Sequence, residues 1–149
     1  MEVLRFEVTI HAPTEKVYKT MLDLPTYKEW TAEFSPGSFY QGSWAKGAKI
    51  LFIGVNKEGK NEGMVSRIKE NIPSQFVSIE HLGILKGDEE TTSGPAVDSW
   101  AGALENYHFR QEGDQTIVTI EMDTAEQFKS YFEQTWPKAL QKLKAICEQ

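Results

Sequence analysis

The sequence predicts an α+β fold, in which a curved antiparallel sheet of about seven strands wraps around a long C-terminal helix. Three observations support this class. The N-terminus alternates apolar and polar residues, the middle of the chain reads as short strands separated by turn residues, and the C-terminus has apolar residues at steps of three and four. Because a long meander must cover its apolar face, and only the C-terminal helix is large enough, we expect the helix inside the curve of the sheet.

The chain opens with a strand followed by two short helices. In the segment MEVLRFEVTI, apolar residues alternate with polar ones from Leu4 to Ile10, which predicts a half-buried strand. A first helix follows and ends at Leu24-Pro25, since the residue before a proline is driven out of the helical region. A second short helix is expected to carry Tyr27 and Trp30 on one face, because residues three apart are neighbours on a helix.

Six further strands are expected between residues 38 and 123, and their short turns argue for an antiparallel meander. The segment from Lys86 to Ser99 is rich in Gly, Thr and acidic residues, and it is the one long loop that the sequence predicts. The predicted strands are Ser38–Ser43, Ala48–Val55, Glu62–Asn71, Gln75–Leu82, Ala101–Gln111 and Thr116–Asp123.

The C-terminal helix is expected from Ala125 to Gln149. Thr124 with Gln127 three residues later predicts a capping box at its start. Pro137 predicts either a bend or a fresh helical start capped by Thr135, because an interior proline costs about 3 kcal/mol. The apolar stripe comprises Phe128, Phe132, Thr135, Trp136, Ala139, Leu140, Leu143, Ile146 and Cys147.

Length and composition bound the class of protein. A chain of 149 residues is the size of one domain, and we treat residues 1–149 as such. A formal net charge of −6 disfavours nucleic acid and anionic membranes as partners. The single cysteine excludes an internal disulfide and fits a reducing compartment, and neither a signal-peptide core nor a membrane span is evident. We therefore expect a cytoplasmic protein.

Several short motifs stand in a fixed order along the chain. They are Ala12-Pro13-Thr14-Glu15-Lys16-Val17-Tyr18, Tyr27-Lys28-Glu29-Trp30, Gly42-Ser43-Trp44, Ser99-Trp100, Glu105-Asn106-Tyr107 and the closing segment from Trp136 to Lys144. Together with the order of elements, these motifs resemble the SRPBCC superfamily, also called START-like, helix-grip or birch-pollen-allergen-like. Within it, the chain resembles the branch of the activator of heat-shock protein 90 ATPase.

The resemblance implies a seven-stranded sheet that grips a long helix, with a hydrophobic pocket between them. Members of the superfamily bind lipids, sterols or polyketides, and some are cyclases. Chaperone activators of this branch carry an additional N-terminal domain, for which a chain of 149 residues leaves no room. We therefore expect binding of a small hydrophobic or amphipathic ligand, lipid-like or polyketide-like, rather than catalysis. The alternatives are a polyketide-cyclase-type enzyme and a co-chaperone-like interaction module.

Alternation along the strands places three polar side chains on the inner, apolar side of the sheet: Glu105, Tyr107 and His81. Burial shifts the pKa values of such groups, so they could act as general acid and base. They could equally orient a ligand. In the purely structural interpretation, Glu105 is paired with a neighbouring donor, Tyr107 belongs to the core and His81 is fixed by hydrogen bonds.

The four tryptophans flank breaks between predicted elements, where a pocket rim would lie, and the loop from Lys86 to Ser99 could serve as a lid. No metal-ligand spacing and no phosphate-binding loop is evident, so we expect neither a metal nor a cofactor. We expect a monomer or weak dimer, with a chaperone or another protein as a possible partner. The predicted ligand-binding residues are Trp30, Trp44, Met64, Ile68, Ile79, His81, Trp100, Glu105, Tyr107, Phe109, Ile120, Phe132, Trp136 and Leu140.

Overall fold

The computed structural model describes residues 1–149 and confirms the α+β class. The order of elements is one strand, two short helices, seven strands and one long helix. The strands are β1 (Glu2–Ile10), β2 (Phe39–Gly42), β3 (Lys49–Val55), β4 (Asn61–Ile72), β5 (Phe76–Lys86), β6 (Glu89–Thr91), β7 (Ala103–Glu112) and β8 (Gln115–Thr124). The helices are α1 (Thr14–Leu22), α2 (Leu24–Trp30) with a 3-10 turn at Thr31–Glu33, and α3 (Glu126–Cys147).

All eight strands pair antiparallel in one sheet, and seven of them follow the order β1-β8-β7-β5-β4-β3-β2, while β6 pairs with β5 outside this order. Every step except β1–β8 and β5–β7 joins consecutive strands, as expected for a meander. The pairing of β1 with β8 joins the two ends of the strand region, so that Glu2 lies opposite Thr124.

Strand β5 has two partners on one side. Its first part, up to His81, pairs with β7, and its last residues, from Ile84, pair with the short strand β6. Gly83 lies at this fork and approaches the backbone of Thr91 so closely that a Cβ atom would not fit. The predicted end of this strand at Leu82 and the long loop from Lys86 are therefore wrong, because the chain continues in the sheet through a hairpin and the loop spans residues 92–102.

Helix α3 packs on the inner face of the sheet, where its buried residues join the main core. Most of the predicted stripe is buried, but Phe128 is 52% exposed. The main core also contains Val17, Met21 and Trp30 from the two short helices. Cys147 is buried in this core as a small packed side chain, and burial raises the pKa of its thiol.

Two details of α3 differ from the expectation. The helix begins after Ala125 without any side-chain cap, so the capping box of Thr124 and Gln127 is wrong: Thr124 is still the last residue of β8. The helix also runs without interruption past Pro137, which excludes a fresh start at Thr135. The Thr135 hydroxyl instead donates to the Tyr131 carbonyl oxygen at 2.7 Å, one helical turn earlier.

Candidate functional site

Three adjacent strands bring four polar side chains together on the inner face. Ser66 on β4 lies directly opposite His81 on β5, and Glu105 and Tyr107 follow on β7 at alternate positions. An irregularity in the β4–β5 ladder, between Val65 and Ser66, leaves an extra residue on β5 after His81. The predicted inner positions of His81, Glu105 and Tyr107 are confirmed.

These four side chains form one continuous hydrogen-bonded chain, here called the polar chain. Ser66 Oγ lies 2.7 Å from His81 Nδ1, and His81 Nε2 lies 3.1 Å from Glu105 Oε1. The Tyr107 hydroxyl donates to Glu105 Oε2. A neutral imidazole with its proton on Nε2 satisfies both contacts, since it donates to Glu105 and accepts from the Ser66 hydroxyl. The Glu105 carboxylate then receives one donor on each oxygen.

The polar chain is buried at both ends, at Ser66 and Tyr107, and its two middle members reach the solvent. The side chains of His81 and Glu105 are 14% and 17% exposed, whereas Ser66 is fully buried. Burial, reinforced by the nearby Glu105 carboxylate, raises the pKa of Tyr107 well above its ordinary value. The same two causes raise the pKa of Tyr27, a residue of α2 that lies close to Glu105. The Glu105 carboxylate therefore helps to keep two buried phenols, Tyr27 and Tyr107, in their neutral form.

Aromatic rings border the polar chain on the side of β2 and β3. The Phe52 ring centroid lies 6.2 Å from that of His81, and Trp44 lies 5.6 Å from Phe52. Tyr40 continues the row at 5.5 Å from Trp44, and Tyr27 lies 5.0 Å from Tyr40. His81 and Glu105 thus reach solvent beside an aromatic wall rather than among polar groups.

One end of the inner face remains half-exposed. Phe52, Met64 and Ile84 lie side by side on β3, β4 and β5, next to the row that contains His81, and all three are half-buried. Helix α3 starts at the same end of the sheet, where Phe132 lies 6.5 Å from Phe34. We call these five residues the open end of the inner face.

The structure divides the predicted ligand-binding residues into three groups. Buried core positions are Trp30, Ile68, Ile79, Tyr107, Phe109, Ile120, Trp136 and Leu140. Half-buried positions near the polar chain, or at the open end, are Trp44, Met64, His81, Glu105 and Phe132. Trp100 lies apart on the loop of residues 92–102, where its indole donates to the Ala96 carbonyl oxygen at 2.8 Å.

Two of the four tryptophans are therefore core residues rather than rim residues. Trp30 and Trp136 lie 5.9 Å apart, and each donates from its indole nitrogen inside the core. Trp136 also packs 4.9 Å from Phe34 and 6.2 Å from Tyr107. Aromatic side chains thus occupy the space between the sheet and the middle of α3.

Two shallow clefts lie elsewhere on the surface. One, of about 210 Å³, is lined by polar residues of α1 and α2, and the other, of about 140 Å³, lies on the outer side of β1, β7 and β8. Neither opens between the sheet and α3, where the sequence predicts a pocket. No group of three or more His, Cys, Asp or Glu side chains is arranged to hold a metal ion. No helix is both long and apolar enough to cross a membrane.

Sequence reasoning missed Ser66, Phe52 and Tyr27 as neighbours of the polar chain. Alternation along β4 places Ser66 on the same face as Met64 and Ile68, but its contact with His81 depends on the ladder irregularity, which no sequence pattern indicates. The position of Phe52 follows from the β3–β4 hairpin register, which places it opposite Met64. Tyr27 reaches the site from a helix, and only tertiary packing brings it there.

Comparison with known proteins identifies the fold but not a family. The sequence matches no protein-family model and no curated protein. Among solved structures, the Aha1 dimer from Colwellia psychrerythraea is similar with a TM-score of 0.70 and 20% identity, covering 99% of this chain and 97% of that one. Protein CV1439 from Chromobacterium violaceum has a TM-score of 0.69 and 14% identity, covering 100% and 99%.

A third similar structure is CalU16 from Micromonospora echinospora, with a TM-score of 0.66 and 16% identity, covering 97% of this chain and 73% of that one. Identities this low establish shared architecture and carry no activity across. The curved antiparallel sheet with its long C-terminal helix is therefore an Aha1-like, helix-grip fold.

Proposed function

We propose that the protein binds a small amphipathic molecule at the open end of the inner face. The polar group of the ligand would contact His81 and Glu105, and its apolar part would lie against Phe52 and Met64. This site is more superficial than a pocket enclosed between sheet and helix, because aromatic side chains occupy that space.

The single observation that carries the proposal is that two members of the polar chain, His81 and Glu105, reach the solvent within an otherwise apolar surface. Placing a carboxylate and an imidazole among aromatic rings costs free energy unless their hydrogen bonds are satisfied. Here the hydrogen bonds of His81 and Glu105 are satisfied within the polar chain, and the two side chains remain 14% and 17% exposed to solvent. A few convergent polar groups on an otherwise apolar lining are typical of ligand-binding sites.

Phenylnaphthylamine, a neutral dye whose fluorescence rises in apolar surroundings, tests the proposal. We expect saturable binding with one site per chain. Met64→Glu puts a second carboxylate at the open end and should weaken binding by about tenfold or more, because burying an unpaired charge is costly. Val3→Glu is the matched control, since Val3 is 66% exposed on β1. Fluorescence that never saturates, or an equal response of both variants, would contradict the proposed site.

A second function, proton-transfer catalysis, is favoured by the position of His81 between a hydroxyl and a carboxylate. Ser66 is fully buried and is therefore no nucleophile for an external substrate, so the reactive groups would be His81 and Glu105. The ring opening of nitrobenzisoxazole requires only a base and serves as a probe. If Glu105 is that base, Glu105→Gln should lower the rate by about 100-fold or more. A rate equal to that of buffer alone would argue against catalysis.

A further inference from the structure

The charge around Glu105 restricts the kind of ligand that the proposed site accepts. The only basic side chain in contact with Glu105 is His81, and no lysine or arginine nitrogen lies within 4 Å of its carboxylate. Both imidazole nitrogens are occupied, so the hydrogen-bonding capacity left at this site is that of the Glu105 carboxylate. It has two donors, from His81 and Tyr107, while a carboxylate has about four acceptor positions. Glu105 therefore keeps acceptor positions for a further hydrogen bond.

The lysines at this end of the sheet do not provide a positive charge next to Glu105. Lys129, in the first part of α3, pairs with Glu2 at 2.9 Å, and Glu126 and Glu133 add further negative charge around it, so that its pKa is raised. Lys86, at the end of β5, lies directly opposite Glu62 on β4 and is exposed. With a formal net charge of −6, the surrounding field also favours the approach of cations.

The aromatic wall has the matching chemistry. Phe52 lies 6.2 Å from His81, which contacts Glu105, and the Trp44 ring follows 5.6 Å beyond. Because His81 contacts Glu105 and lies next to Phe52, the rings offer apolar surface beside the imidazole for the hydrocarbon part of a ligand whose polar group is at Glu105.

We propose that the ligand is a cationic amphiphile, an organic amine whose ammonium group donates to Glu105 while its hydrocarbon part lies on Phe52 and Met64. This inference rests on the proposed function and names its ligand class. A fatty acid has the opposite charge and would place two carboxylates together without a cation between them. Glu105 is then the residue that determines specificity.

The test compares three ligands with the same hydrocarbon chain: decylamine, decanol and decanoate, each displacing phenylnaphthylamine near neutral pH. We expect decylamine to bind at least about tenfold more tightly than decanoate, the range of a charge-assisted hydrogen bond. In Glu105→Gln the amide oxygen still accepts from Tyr107, and the amide nitrogen can donate to His81 Nε2 once the imidazole proton lies on Nδ1, next to the Ser66 hydroxyl. The variant should remove this preference while leaving decanol within about threefold. Glu121→Gln is the matched control, because Glu121 forms its ion pairs with Arg5 and His108 away from the polar chain.

The possible outcomes separate the two proposals. If none of the three ligands displaces the dye and the dye itself does not saturate, the proposed function fails, and the ligand class fails with it. If all three bind without a preference for the amine, or if the preference survives in Glu105→Gln, the ligand class is wrong although a ligand site exists. A preference lost in Glu105→Gln and kept in Glu121→Gln supports the cationic ligand.

Discussion

Glu105 shows how this protein keeps a carboxylate on an apolar surface. Each carboxylate oxygen has its own donor, the imidazole on one side and the Tyr107 phenol on the other. The next link, Ser66, is fully buried and completes the hydrogen bonding of His81. Because each link depends on its neighbour, the loss of one member leaves another unsatisfied in surroundings of low polarity, where this is most costly.

The buried phenols make the stability of the fold depend on alkaline pH. The pKa values of Tyr27 and Tyr107 are raised in the folded protein, mainly by burial and also by Glu105. A folded pKa above the unfolded one means that the native state binds more protons once pH exceeds roughly 10. The stability from these tyrosines is therefore complete below that pH and is lost as pH rises further.

We expect phenolate absorbance to show two of the five tyrosines ionising only together with unfolding. In Tyr107→Phe only one such tyrosine should remain, and the alkaline loss of stability should be shallower. If all five tyrosines ionise while the far-ultraviolet circular dichroism spectrum is still that of the folded protein, burial and Glu105 do not raise the pKa values of Tyr27 and Tyr107 as described.

At this scale the sequence locates the functional side chains but not their contacts. The period of two along β5 and β7 is sufficient to place His81, Glu105 and Tyr107 on one face. The pairing of Ser66 with His81 depends on one extra residue in β5, and a one-residue shift in register moves every side chain to the other face. Alternation within a single strand contains no information about such a shift between strands.

Helix α3 is the element that the sequence describes best. Its apolar period predicts its existence, its length to within a few residues and most of its buried face. Its predicted start is within one residue, but its capping box is wrong because Thr124 forms the end of β8, where sheet pairing with Glu2 takes precedence over capping. Continuation past Pro137 is also tertiary in origin, since Trp136, Ala139 and Leu140 are buried on both sides of the proline.

The first turn of α3 and the part that follows Pro137 should differ in their contribution to stability. Leu140 is 2% exposed, and Leu140→Ala should lower the free energy of unfolding by about 2–5 kcal/mol through lost burial and a cavity. Phe128 is 52% exposed on the same helix, and Phe128→Ala should cost less than about 1 kcal/mol. Urea unfolding of the two variants measures the difference directly. Similar losses for both would mean that the first turn of α3 is packed in solution.

The fork in β5 is the part of the sheet that sequence patterns did not predict. The segment Leu82-Gly83-Ile84-Leu85 is apolar on both sides and shows no alternation, because Leu85 belongs to a second small cluster with Ile53 and Val65 on the outer face. Strand β6 is only three residues long and rich in acidic side chains, which are typical of loops. Its pairing with β5 is a property of the assembled sheet.

Across the whole molecule, the protection of backbone amides should follow the sheet order. Strands β7 and β8 are flanked on both sides, whereas β2 is a four-residue edge strand and β6 pairs with β5 alone. Native-state hydrogen exchange should therefore be slowest in β7, β8 and the first half of β5, and fastest in β2 and β6. Exchange in β6 as slow as in β8 would contradict this hierarchy.

The point where β5 changes partner has a consequence for how this chain tolerates insertions. The segment of residues 92–102 leaves the sheet after β6 and returns at a fixed point, where the Gly102 amide donates to the His81 carbonyl oxygen at 2.9 Å. Doubling the length of a loop held at both ends costs only about 0.6 kcal/mol. A peptide inserted at the exposed Ser93, before the turn that begins at Gly94 and buries Val97, would therefore lengthen the loop without breaking the contact between Gly102 and His81, and this is the position at which the scaffold accommodates a new segment.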